Sequence, residues 1–231
     1  MEVDVWAISL RQPPEAVAEL RAILDPMERR RAAGDPRYTV AHGAVRWILA
    51  GRLGAQPGAL RRTFGPHGKP RLTGTGAGLG WNLSASGDWA LLAVVPQPEG
   101  GAEGAAVGID IQRLVHPDAA PRLARRYFPQ AEAEAVRAAA AGGTPGTAPG
   151  TAAGAAYTRL WTCKEAYVKA YGGRLVDGLS VPVPPGAGGV MSGPLGPCQV
   201  AAAPTPAEGY HAAVAVTGPL PPRPRPRLWS W

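Results

Sequence analysis

Chemistry is concentrated in residues 161–173, WTCKEAYVKAYGG, where Lys164, Glu165 and Lys169 stand together. The run has no internal Gly or Pro and stops at Gly172-Gly173, so it reads as a helix of about three to four turns. Glu165 and Lys169 are spaced i,i+4 and share a face. Lys164 is expected to flank Glu165 on the same side, which sets a carboxylate between two ammonium groups. In isolation this is a solvated Glu-Lys pair worth about 0.2–0.5 kcal/mol. Composition argues for more: of 24 Lys+Arg, only Lys69, Lys164 and Lys169 are lysine. An ammonium is a compact point charge that a planar guanidinium does not replace at a reacting phosphate. A second stretch, residues 105–112, AAVGIDIQ, reads as a strand with Val107, Ile109 and Ile111 on one face and Gly108, Asp110 and Gln112 on the other. Asp110 is then an acid on an apolar strand, and buried carboxylates are rare unless paired or metal-bound.

The elements that must position these groups follow from pattern. Residues 3–10 alternate as a strand ended by Pro13-Pro14, and residues 15–24 have helical spacing. Asp25-Pro26 opens a segment carrying Arg29, Arg30 and Arg31. Residues 37–53 form a further helix with Val40, Val45, Ile48 and Leu49 as its stripe and Gly54 as its stop. FGPHGKPRL, residues 64–72, is a Gly-rich turn with a lysine, but Pro70 stands where a P-loop needs a hydroxyl. Residues 79–95 read as two strands joined at Ser86-Gly87-Asp88, and contain Asn82, the chain's one asparagine, with Ser84 and Ser86 at alternate positions. Residues 119–141 are helical with a break at Phe128-Pro129, and 142–155 read as a low-complexity loop. Strands are expected at 180–183, 199–203 and 210–217, and an extended Pro/Arg-rich tail at 221–231. The domain expectation is an N-terminal α/β half over 1–104, a C-terminal α/β half over 105–220, and that tail.

At 231 residues and 45% hydrophobic content the chain can build a sizeable core. No apolar run reaches the roughly 20 residues of a membrane span. The acidic start, MEVDVWAISL, is not a secretory signal, and two cysteines without metal or disulfide spacing fit a reduced, cytoplasmic protein. A net charge of +7 predicts anionic partners: nucleic acid, a phosphorylated cofactor or an acidic protein. The basic residues are scattered and no nucleic-acid-binding signature is present, which ranks a basic nucleic-acid-binding module last.

Gly108-Ile-Asp-Ile-Gln112 and Trp161 to Gly172 together resemble the two signature motifs of the 4′-phosphopantetheinyl transferases. Gly68-Lys69-Pro70 and Trp81-Asn-Leu-Ser-Ala-Ser-Gly87 resemble two further motifs in the family's order. The resemblance covers about residues 31–173 and is to the long, monomeric type that serves peptide and polyketide synthases. It implies an α/β (α+β) fold of two similar halves about a pseudo-twofold axis with coenzyme A between them. It also implies transfer of the phosphopantetheine arm to a serine of an apo acyl or peptidyl carrier protein, releasing adenosine 3′,5′-bisphosphate. Nucleic acid and membrane would play no part. Under the resemblance, Asp110, Glu165 and Gln112 would hold Mg²⁺, Lys164 and Lys169 would neutralise phosphate charge, and Glu165 would take the serine proton. Arg31, Arg37, Lys69, Pro70 and Ser84 would line the adenine and 3′-phosphate side. Two positions depart from the family pattern: Gln112 stands where Glu is common, and Ala85 where His is frequent. They leave open a weakened member that binds coenzyme A or carrier without turnover.

Overall fold

The computed structural model describes residues 1–74, 78–97, 104–142, 151–218 and 221–231. Two four-stranded sheets, each faced by a long helix, lie against one another. The first consists of β1 (Glu2–Ser9), β4 (Leu79–Ser86), β5 (Trp89–Pro96) and β10 (Arg223–Trp229), in the order β10-β1-β5-β4. The second holds β6 (Val107–Arg113), β7 (Gly188–Gly193), β8 (Gly196–Ala202) and β9 (Tyr210–Thr217), in the order β6-β9-β8-β7. A separate hairpin joins β2 (Arg62–Phe64) to β3 (Pro70–Leu72). Among the described residues, no helix is long and apolar enough to cross a membrane.

Alternation builds the layers. On β5, Leu92 and Val94 face α3 (Pro36–Leu53), together with Ile8, Val45, Leu49 and Trp81. Leu91, Ala93 and Val95 face the other way and meet Val107, Ile109 and Ile111 of β6, a dry seam between the sheets. Asp35 caps α3 by accepting from the Arg37 and Tyr38 amides, and Gly54 ends it at φ +62°, a left-handed conformation that suits glycine. Before it come α1 (Pro14–Ile23) and α2 (Pro26–Arg31), the latter opened by a reciprocal capping box between Asp25 and Glu28. Past β6, α4 (Ala120–Tyr127) and α5 (Gln130–Ala141) pack Phe128 and Val136 on Tyr157 and Leu160 of α6 (Thr151–Tyr171).

The structure departs from the sequence reading in four places. α6 has 21 residues rather than three to four turns, because Thr151 to Leu160 continue the helix. The loop expectation therefore fails at 151–155, and its part at 143–150 lies outside the described residues. No strand forms at 180–183; a short α7 (Val176–Leu179) precedes it and β7 follows. The segment at 221–231 is extended but not a free tail: β10 pairs in parallel with β1 from Glu2↔Arg223 to Ile8↔Trp229. Pro224 and Pro226 alternate with arginines, so the residues lacking an N–H can face away from β1, as an edge strand allows.

Candidate active site

The site is built where β4, β6 and α6 touch. β6 is the edge of its sheet, so alternate N–H groups need acceptors from outside the ladder. β4 supplies them with side chains at matching period: Asn82 Oδ1 accepts from the Ile109 amide at 2.8 Å, Ser84 Oγ from Ile111 at 3.4 Å, and Ser86 Oγ from Arg113 at 3.1 Å. The Asn-x-Ser-x-Ser spacing is thus a splice between the two sheets.

On the opposite face of β6, glycine sets the distance to the helix. A Cβ on Gly108 would lie 2.1 Å from the Ala166 carbonyl oxygen, and one on Gly154 of α6 would lie 2.4 Å from that of Val115. At that spacing α6 delivers Lys169 to Asp110. Asp110 is 0% exposed; its Oδ1 accepts from Lys169 Nζ at 2.6 Å and from Ser84 Oγ at 2.7 Å, while its Oδ2 is buried without a hydrogen-bond partner. Glu165 lies one turn back, with an oxygen 4.0 Å from Lys169 Nζ. Burial raises its pKa above the ordinary carboxylate value, Lys169 opposes the shift, and the charge of Asp110 adds to it. One turn further, Thr162 Oγ1 and His211 Nδ1 are 2.8 Å apart. Gln112, two residues beyond Asp110, takes the Ser86 hydroxyl at 3.4 Å.

An unpartnered, fully buried carboxylate oxygen beside a second carboxylate suits a hard divalent cation. Magnesium is bound by one or two carboxylates, with phosphate and water completing the shell. Among the described residues no group of three or more His, Cys, Asp or Glu could hold a metal, so such an ion would rest on Asp110 and Glu165 with substrate oxygens.

Beside this row lie two cavities. One, of about 200 Å³, is lined by Arg31, Tyr38, His42, Phe64, Pro70 and Asn82 among others. Its neighbour, of about 270 Å³, is lined by Arg37, Ser84, Ala85 and Ser86 and shares Tyr38, His42 and Leu83 with the first. Tyr38 and His42 stack with centroids 4.0 Å apart, and the Arg31 guanidinium lies 5.7 Å from the Phe64 ring centroid.

Of the residues expected to act, Asp110, Glu165 and Lys169 come together, with Ser84 and Gln112 adjoining. Arg31 and Pro70 line one cavity and Arg37 the other. Two lysines are elsewhere. Lys164 does not flank Glu165, because neighbours on a helix point about 100° apart. Its ammonium is 0% exposed, donates to the Val181 carbonyl, sits 2.8 Å from Glu132 of α5 and lies 5.3 Å from the Phe128 ring centroid. Lys69 points away from the cavity that Pro70 lines; it donates to the carbonyls of Val107, at 2.9 Å, and Ala170, and burial pushes its pKa down to about 8. Sequence reasoning missed Glu132, His42 and the Tyr38 stack, for none belongs to a motif, and adjacency across α5 and α6 is a tertiary fact.

The chain is 34% identical over 187 residues to the 4′-phosphopantetheinyl transferase HetI of Nostoc sp., covering 78% of this chain and 70% of that protein. The chain belongs to the 4′-phosphopantetheinyl transferase superfamily. The superfamily's own model matches residues 106–189, from β6 to the start of β7. A Synechocystis sp. protein, slr0495, given the same transferase name provisionally, is 28% identical over 156 residues, 67% of this chain and 57% of its own length. As a phosphopantetheinyl transferase, the protein uses coenzyme A as substrate and carries its phosphopantetheine to carrier proteins.

Proposed function

We propose that the reaction takes place at the Asp110–Glu165–Lys169 row. There the serine oxygen of an apo carrier bonds to the phosphorus that bears pantetheine, the pyrophosphate bridge breaks, and adenosine 3′,5′-bisphosphate leaves. The observation that carries this is the buried Asp110, held on one oxygen by Lys169 and Ser84 and buried without a partner on the other. Glu165, one helical turn from Lys169, takes the serine proton, directly or through a water. Lys169, able to leave Asp110 for a phosphate oxygen, offsets charge growing on the leaving group. Mg²⁺ bound by Asp110 and Glu165, with Gln112 nearby, would supply further neutralisation of the pyrophosphate. Arg31, Pro70, Arg37 and Ser84 line the adenosine and 3′-phosphate side. Lys164 and Lys69 act from behind: the first fixes α6 to α5, and the second ties the β2–β3 hairpin to β6 and α6. The reading extends to a cytoplasmic monomer serving peptide or polyketide synthase carriers, with no nucleic-acid partner.

Intact-mass spectrometry of apo carrier domains incubated with the protein, coenzyme A and Mg²⁺ tests this. A gain of one phosphopantetheine arm, lost in Glu165→Gln and on chelation, is expected. Full loading by Glu165→Gln would refute the role given to that carboxylate.

A further inference from the structure

The turn between β4 and β5 gathers charge from both halves of the molecule. Asp88 holds Arg11 at 2.7 Å and Arg113 at 3.1 Å on one carboxylate oxygen, and Arg37 at 2.7 Å on the other. Arg11 follows β1, Arg37 begins α3 and Arg113 ends β6. Tyr210, at the start of β9, accepts from Arg113 Nε at 2.9 Å and from the Asp88 amide at 3.4 Å. One carboxylate offsets one of three guanidinium groups. Even with Asp35 counted, whose carboxylate caps α3, the rim keeps excess positive charge held at close quarters, where like charges repel.

The three arginines do not face alike. Arg37 lines the cavity with Ser84 and Ser86, whereas the Arg11 and Arg113 side chains are 75% and 58% exposed. A guanidinium has five N–H donors in a planar fork suited to carboxylates, and Asp88 uses only part of that capacity. Arg113 stands three residues along β6 from Asp110, about 10 Å at roughly 3.3 Å per residue. A protein substrate must bring its serine to the phosphate beside Asp110, so its surface has to rest on the rim at about this distance.

We propose that Arg11 and Arg113, set in place by Asp88, form a docking surface for an acidic face of the carrier protein. This deepens the transferase reading and rests on it. Asp88 fixes two long side chains that would otherwise lose rotamer freedom on binding, so the surface is preorganised.

The test is steady-state kinetics on an apo carrier that the wild-type protein loads, with Arg11→Glu, Arg113→Glu and the double variant. The carrier KM should rise about tenfold or more in the double variant, with kcat and the coenzyme A KM within about twofold. The wild-type carrier KM should also rise between about 50 and 300 mM salt, and the double variant should lose most of that dependence. A coenzyme A KM that rises in step with the carrier KM would assign the rim to the cofactor and overturn the proposal, as would an unchanged carrier KM. Circular dichroism confirms folding of each variant. A wild-type protein that loads no carrier would remove the transferase reading, and the proposal with it.

Discussion

Removing the Glu132 carboxylate leaves the Lys164 ammonium with no counter-charge at a position that is 0% exposed. Breaking a buried pair from one side costs about 3–5 kcal/mol, a large part of the roughly 5–15 kcal/mol that holds a domain folded. For a chain of this length each kcal/mol moves Tm by about 2–4 °C, so Glu132→Ala should melt about 6–20 °C lower. Activity should fall with it, because Lys164 holds the helix on which Glu165 is the next residue. The informative variant is Lys164→Met with Glu132→Leu. Replacing both ions with apolar groups of similar volume removes the desolvation cost, leaving the Val183 amide, which donates to Glu132 at 2.7 Å, and the Val181 carbonyl, which accepts from Lys164, to lose about 1 kcal/mol each. Differential scanning calorimetry and carrier-loading kinetics on both variants decide the matter. If Lys164 only positions α6, the double variant regains most of Tm and kcat with an unchanged coenzyme A KM. A double variant that is stable yet inactive, with a raised coenzyme A KM, would refute the positioning role and return Lys164 to the phosphate.

Four further outcomes are expected. Glu165→Gln should be inactive but more stable at neutral pH: between the ordinary and the raised pKa the folded carboxyl keeps a proton that the unfolded chain has released, so stability falls as pH rises through that interval and stays lower above it. Urea midpoints across pH 4 to 8 check this, and equal wild-type and variant curves would contradict it. Gly108→Ala forces a methyl against the Ala166 carbonyl and should cost about 3 kcal/mol, with kcat down about 100-fold from a displacement of about 1 Å; near-wild-type kinetics would mean α6 yields freely. Gln112→Glu adds a charge two residues from Asp110 and should lower the Mg²⁺ concentration for half-maximal activity; an unchanged Mg²⁺ titration would deny Gln112 a place near the ion. Lys69, pushed down to about 8, releases its proton in the folded state first, so the wild type should gain stability relative to Lys69→Met as pH rises from about 8 to 10.5; parallel urea midpoints would contradict it.

The acid row was legible because strand alternation and the i,i+4 helix spacing both determine direction. Asp110 had to oppose the Ile109 side of β6, and Glu165 had to share a face with Lys169. Lys164 and Lys69 were not legible, since type and adjacency do not say which face of a neighbouring element receives an ammonium. Glu132 reaches Lys164 only after α5 has folded back on α6. The lone asparagine was rightly singled out, but what it accepts from is an amide of β6, a partner 27 residues away in sequence that no local pattern reveals. Chain segments were read well where caps and alternation were strong, as at Asp35 and Gly54. They were misread where proline dominated: the Arg-Pro alternation of 223–227 has the composition of a free polyproline segment and the pairing of an edge strand.

That edge strand also bears on synthesis. β1 is made well before β10, and the residue that pairs with Glu2 is Arg223. At about 5–20 residues per second the ribosome needs roughly ten to forty seconds to travel between them. For that interval β1 has one bare side, and the carboxylates of Glu2 and Asp4, later joined to Arg225 and Arg227, are the charges available to discourage a wrong strand from taking the place. The first sheet is therefore completed only after the strands of the second have been made. A fragment ending ahead of β10 should be a client for chaperones rather than a folded domain.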